Sequence, residues 1–84
     1  MQFSLITFRS ITPAQRGENL LRQAGIRCSL ERTPKWMEEQ GCGYSLRIRG
    51  KDARQSMELL LGNHVPYRKA YRLLENGAVE ELTL

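Results

Sequence analysis

The sequence predicts an α+β fold, and three observations carry that prediction. Strand-like alternation and helical spacing succeed one another in the order β-α-β-β-α-β. Each helical segment opens on a capping pattern and closes on a glycine. An Asn-Gly pair near the C-terminus marks a hairpin that adds one more strand. That order is the split β-α-β, or ferredoxin-like, pattern, a sandwich in which two helices cover one face of an antiparallel sheet. The 84 residues make a single domain over 1–84, with no room for a second core.

The elements follow in order. Residues 2–8, QFSLITF, are rich in β-branched and aromatic types, with Phe3 and Leu5 on one face and Ile6 and Phe8 on the other. Apolar residues on both faces predict a central strand. In 12-TPAQ-15, Thr12 and Gln15 form a capping box around Pro13, and the helix they open runs to about Ala24. It buries Ala14, Gly17, Leu20, Leu21 and Ala24, and Gly25 stops it. Residues 26–32 alternate, with Ile26, Cys28 and Leu30 on the apolar side. A loop over 33–43 follows, and 44–49, YSLRIR, resumes the alternation with Tyr44, Leu46 and Ile48 inward. Asp52 and Gln55 open a second helix that buries Ala53, Met57, Leu60 and Leu61 and ends at Gly62. Residues 67–74 read as strand. With Asn76 and Gly77 at the turn, Leu74 faces Val79 and Arg72 faces Glu81. The sheet face away from the helices, carrying Arg27, Glu31, Arg47 and Arg49, is expected to be polar and basic.

Composition narrows the function classes. Hydrophobic residues are 40% of the chain and charged residues 26%, which fits a folded domain rather than a disordered one. No apolar run reaches the ~20 residues that span a bilayer, and MQFSLITFRS lacks a basic leader, so the expected location is cytoplasmic. Net charge is +4, but the basic residues are interspersed with acidic ones and form no block. A domain this small gains from self-association, so a homo-oligomer is a further expectation.

The chemical candidates are few. Two cysteines in such a chain are not a disulfide framework. Cys28 lies on the apolar parity of a strand and behaves as a small hydrophobe. Cys42 stands between Gly41 and Gly43, where side-chain cover is least, and Lys35, Arg47 and Arg49 are near in sequence. A cationic, partly exposed setting lowers a thiol pKa, so Cys42 is either a reactive thiol or an incidental loop residue. Trp36 and Met37 either pack under the loop or offer a docking spot for a partner. His64 follows a helix end, where an imidazole meets free carbonyls. Cys28, Cys42 and His64 lack metal-ligand spacing, and no nucleophile–base motif or phosphate-cradling glycine loop is present. No metal or other cofactor is expected.

The stretch 33-TPKWMEEQGCGYSLRIR-49 resembles the signature of a family of small proteins known as selenium/sulfur carrier protein-like. Thr33, Pro34, Cys42, Gly43, Leu46 and Arg47 match its Thr-Pro, Cys-Gly and Leu-Arg positions, and the likeness extends over roughly residues 3–74. Small or hydroxyl residues are common in the family between the Thr-Pro and the cysteine, whereas Trp36, Met37, Glu38 and Glu39 stand here. The two glutamates raise the pKa of a nearby thiol. The resemblance implies that Cys42 is a carrier thiol holding a persulfide or its selenium equivalent. Arg47 would stabilise its thiolate, and Gly41 and Gly43, with Thr33 and Pro34, would shape the loop. It implies sulfur- or selenium-donating and accepting proteins as partners and a carrier rather than a complete enzyme. Trp36, Met37 and Arg49, which the family pattern does not supply, are this chain's own candidates for partner contact.

A second class competes with this one: a non-catalytic ferredoxin-like module that self-associates or docks on an enzyme through its open sheet face. A third places nucleic acid on Arg27, Arg47 and Arg49. The aromatic residues do not form the interleaved aromatic–basic strand motif of RNA-binding sheets, so nucleic acid is not the expected partner.

Overall fold

The strand predicted to be central is central. In the computed structural model, which describes residues 2–35 and 43–84, β1 (Phe3–Phe8) pairs antiparallel with a neighbour on each side. The described residues form β1, α1 (Ile11–Gln23), β2 (Cys28–Arg32), β3 (Tyr44–Arg49), a 3₁₀ turn (Gly50–Asp52), α2 (Ala53–Gly62), β4 (Ala70–Leu73) and β5 (Val79–Leu82). The sheet is antiparallel, in the order β2-β3-β1-β4-β5. The fold is therefore α+β, with five antiparallel strands and two helices among the described residues.

Both helices pack on the face that carries Ile6, Phe8, Leu46, Ile48 and Ala70. Ala14 and Leu21 of α1 and Ala53, Met57 and Leu60 of α2 complete this core, each at most 5% exposed. Gly17 is where α1 comes closest: a methyl there would meet Leu60 at 3.1 Å and both Leu46 and Phe8 at 3.2 Å. The absence of a side chain at Gly17 lets three elements converge on one point of the helix.

Several local expectations need correction. The N-cap of α1 is Ser10, not Thr12, which lies inside the first turn, and Ser10 makes no side-chain capping bond. Ala24 is the exposed C-cap of that helix and not a core residue. Asp52 precedes α2, but its side chain makes no capping bond, and its carbonyl instead accepts from Ser56 Oγ at 2.7 Å. Leu61 is exposed because the buried positions 53, 57 and 60 define a stripe that excludes its side of the helix. β4 begins only at Ala70 because two residues face Thr7: the Arg68 amide donates to the Thr7 carbonyl, and the Thr7 amide to the Lys69 carbonyl. That two-against-one count is the arrangement of a β-bulge.

The hairpin register also differs by one residue. Gly77, at φ 86°, closes a three-residue loop of Glu75, Asn76 and Gly77, and the Leu74 amide donates to the Ala78 carbonyl. A three-residue loop with glycine in the left-handed position displaces the pairing that a two-residue Asn-Gly turn gives. Leu73 therefore faces Val79, and Arg72 faces and ion-pairs with Glu80 (3.0 Å). The face away from the helices is less polar than expected. By register it carries Phe3, Leu5, Tyr71, Leu73 and Val79 beside Arg47, Arg49 and Glu31, and Leu5 is only 1% exposed.

The two helices end in the same way on different residues. After α1, the Gly25 amide donates to the Arg22 carbonyl and the Ile26 amide to the Leu21 carbonyl, with Gly25 at φ 81°. After α2, the His64 amide donates to the Leu61 carbonyl and the Val65 amide to the Leu60 carbonyl, with His64 at φ 59°. Both are Schellman motifs, and the residues that close them, Ile26 with Leu21 and Val65 with Leu60, all belong to the buried core. Gly62, expected to stop α2, is its last residue, and His64 takes the left-handed place at a cost that glycine avoids. His64→Gly is therefore expected to stabilise the fold by about 0.5–1 kcal/mol, and Gly25→Ala to destabilise it by about 1 kcal/mol. Urea unfolding midpoints check both, and a lowered midpoint for His64→Gly would contradict this account.

Candidate functional site

The cysteine-bearing loop leaves the sheet between β2 and β3, and its two ends are tied together. The last register pair is Arg32 with Tyr44. Beyond it the Thr33 amide donates to the Gly43 carbonyl at 3.0 Å. The Thr33 and Ser45 hydroxyls lie 2.6 Å apart, one donating to the other, and both residues are buried. A Cβ on Gly43 would meet Thr33 Oγ1 at 3.2 Å and the Phe8 carbonyl oxygen at 3.5 Å, so this buried glycine permits the close approach that joins the neck. Pro34, half-buried, and Lys35, exposed, lead out of it. Cys42, Gly41, Trp36 and Met37 lie outside the described residues.

Arg47 and Arg49 stand away from this neck. Along an extended strand Arg47 is about 13 Å from Gly43 and Arg49 about 20 Å, at ~3.3 Å per residue. Arg47 Nε donates to Glu31 Oε1 at 3.0 Å, and its guanidinium lies over the Phe3 ring, 5.6 Å from the centroid. Arg49 pairs with Phe3 at the opposite end of the sheet. The basic residue at the neck itself is Arg32, whose guanidinium lies 5.6 Å from the Tyr44 ring centroid. Sequence reasoning passed over Arg32 and Ser45. The signal for both was the Thr33–Gly43 juncture, which places residues 32 and 44 opposite each other.

Cys28 has the surroundings of a packed thiol. It is half-buried against the core, and its Sγ lies 3.8 Å from the Glu18 carbonyl oxygen. Desolvation by burial pushes its pKa up, only partly opposed by the Arg22 guanidinium, which also donates to the Cys28 carbonyl at 3.4 Å. His64 serves the end of α2 as described. Among the described residues no group of three His, Cys, Asp or Glu is placed to hold a metal ion.

Two outcomes are expected from this geometry. Ser45→Ala leaves Thr33 Oγ1 buried without a partner and costs about 1–3 kcal/mol, whereas adding Thr33→Val to that change recovers much of the loss. A double-mutant cycle by urea unfolding reads this, and purely additive losses would show that the two hydroxyls do not act together. Second, in a Cys42→Ser variant, alkylation of Cys28 stays slow at neutral pH. A raised pKa keeps the group a thiol there, so the rate climbs only above the ordinary thiol value of about 8.5. A midpoint below that value would show that Cys28 is not the packed thiol described.

No helix among the described residues is long and apolar enough to cross a membrane. No curated protein and no solved structure matches the chain significantly. The family described as "Putative Se/S carrier protein-like" matches residues 3–72, a span that takes in β1 through most of β4 and the whole Thr-Pro to Cys-Gly run. The chain belongs to that family.

Proposed function

We propose that the chain is a sulfur or selenium carrier and that Cys42 is the thiol that holds the transferred atom. The observation that carries this reading is the family match over residues 3–72, within which the Thr33-Pro34 and Cys42-Gly43 pairs fall. The neck supports it: Thr33, Gly43 and Ser45 fix the place where the loop joins the sheet, one peptide bond from Cys42. The strand order, with β5 appended beyond β4, supports reading the frame as ferredoxin-like.

The proposed relay has two steps. The Cys42 thiolate attacks the outer sulfur of a donor's persulfide. A bond forms between Cys42 Sγ and that sulfur, the donor's S–S bond breaks, and the donor leaves as a thiolate. An acceptor nucleophile then attacks the outer sulfur, and the Cys42 thiolate leaves with the electron pair. No outside oxidant or reductant is consumed, and selenium in place of the outer sulfur follows the same balance. Such an exchange needs a thiolate and not a general base, which suits a chain with one histidine, itself engaged at a helix end. Lys35 and Arg32 near the neck supply positive potential, and Arg47, about 13 Å further along β3 and ion-paired with Glu31, contributes little. Gly41 gives a partner access to the sulfur, and Trp36 and Met37 meet that partner. On this reading the partners are donor and acceptor proteins, the chain is no complete enzyme, and its place is the cytoplasm.

A second reading, an interaction module, is favoured by the apolar part of the open sheet face, where Phe3 is 36% and Val79 37% exposed. One experiment separates the two. Wild type, Cys42→Ser and Cys28→Ser are each incubated with glutathione persulfide and read by intact mass. The wild type and Cys28→Ser are expected to gain one sulfur atom that dithiothreitol removes, and Cys42→Ser is expected to gain none. Equal loading of Cys42→Ser would overturn the carrier reading and leave the interaction module.

A further inference from the structure

The end of the sheet away from the cysteine loop holds a basic cavity that the carrier reading does not use. It measures about 510 Å³ and is lined by Gln2, Arg49, Gly50, Lys51 and Arg72. Three elements meet there. β1 begins at Phe3, with Gln2 just before it; β3 ends at Arg49 and runs into the 3₁₀ turn; and Arg72 lies on β4, opposite Ser4 of β1. The Gly50 amide donates to the Gln2 carbonyl at 2.9 Å and fixes the floor where two of these elements join. By register Arg49 stands on the open face and Arg72 on the helix face, and both line the cavity where the two faces meet at the end of the sheet.

The charge of the cavity is strongly one-sided. Among the described residues, neither Arg49 nor Lys51 makes an ion pair. Arg72 is paired with Glu80 through one guanidinium nitrogen, at 3.0 Å, in a half-exposed contact of the kind worth little in water. Five donors on each guanidinium leave the fork of Arg72 with unspent hydrogen-bonding capacity. A second cavity adjoins through the shared Arg49 and adds Arg27, Arg47 and the partly exposed Phe3.

We propose that this end of the sheet is a phosphate site, with Arg49, Lys51 and Arg72 holding the phosphate oxygens. Guanidinium forks match phosphate geometry, and a lysine supplies a compact positive charge beside them. A cavity of this volume is in the range of small-molecule sites. Phosphate on a nucleotide and phosphate in a nucleic-acid strand present the same chemistry to these residues. The site is independent of the cysteine, since β3 in its whole length separates it from the neck.

The test is titration of the full chain with inorganic pyrophosphate, with ADP and with a single-stranded hexanucleotide at low salt, followed by calorimetry or amide chemical shifts. Saturable binding is expected, with shifts centred on residues 49–51 and 72. Lys51→Gln and Arg72→Gln are each expected to weaken it about tenfold, as loss of a charge-assisted contact does. Arg16→Gln removes the same charge from the exposed side of α1 and is expected to change binding by less than about twofold, which excludes a bulk charge effect. Lys51 is exposed, so its variant keeps the fold whatever becomes of Arg72. Tighter binding of ADP than of the hexanucleotide assigns the phosphate to a free nucleotide, and the reverse order assigns it to a strand. Cys42→Ser retains the binding. No saturable binding of any of the three probes, or equal losses in Lys51→Gln and Arg16→Gln, overturns the proposal.

Discussion

The double pairing of β1 is the constraint on which the remaining structure depends. With β3 on one side and β4 on the other, its amides and carbonyls are committed along both edges, and Ser4 to Phe8 are all buried. A first strand placed in the middle forces the chain to return to it twice. α1 carries the chain out to the β2 edge, and β3 comes back between β2 and β1. α2 then carries it across to β4 on the other side. Both helices therefore lie over the same face, and their convergence at Gly17 seals it. The two helix ends must turn sharply to meet the sheet at fixed places, and the Schellman bonds at Gly25 and His64 supply those turns.

The same topology separates the two proposed sites by the length of β3. At one end Thr33 and Gly43 close the neck of the cysteine loop, and the buried Thr33–Ser45 contact leaves that neck little freedom. At the other end β3 turns through Gly50, beside Gln2, into the basic cavity. Arg47 sits between them and is occupied on both sides, by Glu31 and by the Phe3 ring. Its register partner Leu5 is buried on the same face, while the charge of Arg47 stays half-exposed at the surface.

The strand–helix order was legible because alternation and helical spacing are local. β1, β3 and the buried stripes of both helices, except at Ala24 and Leu61, follow from spacing alone. What sequence left hidden depends on backbone geometry or on distant partners. Ser10 and Thr12 are both acceptable caps, and nothing local chooses between them. Asn76-Gly77 signals a hairpin, yet whether the loop has two or three residues decides which glutamate meets Arg72. His64 was legible as a residue near a helix end but not as the left-handed one, because Gly62 offered itself first. The open face looked basic because its arginines are conspicuous, while Phe3, Leu5, Tyr71 and Leu73 reach it only through register. At the site, Thr33 and Gly43 were legible as loop residues, but Arg32 and Ser45 come to the neck by cross-strand pairing.

Cys28 shows why burial and not residue type decides what a sulfur does. Cys28 sits on an edge strand, yet its parity turns it toward α1, where Glu18 and the core surround it. Removing water disfavours the thiolate more than the single guanidinium of Arg22 favours it, so the pKa rises and the group is a poor nucleophile near neutral pH. A carrier thiol requires the opposite balance: a surface position, adjacent positive charge, and a backbone that does not screen the sulfur. On the proposed carrier reading, the glycines that flank Cys42 in sequence meet the last requirement, and Arg32 and Lys35 near the neck stand against Glu38 and Glu39 in the loop sequence. The carrier reading makes the Cys42 thiolate sensitive to that balance of charge. Neutralising Glu38 and Glu39 with glutamine is expected to lower the Cys42 pKa and speed the first step of the proposed relay, and neutralising Lys35 to do the reverse, as read by alkylation rate against pH.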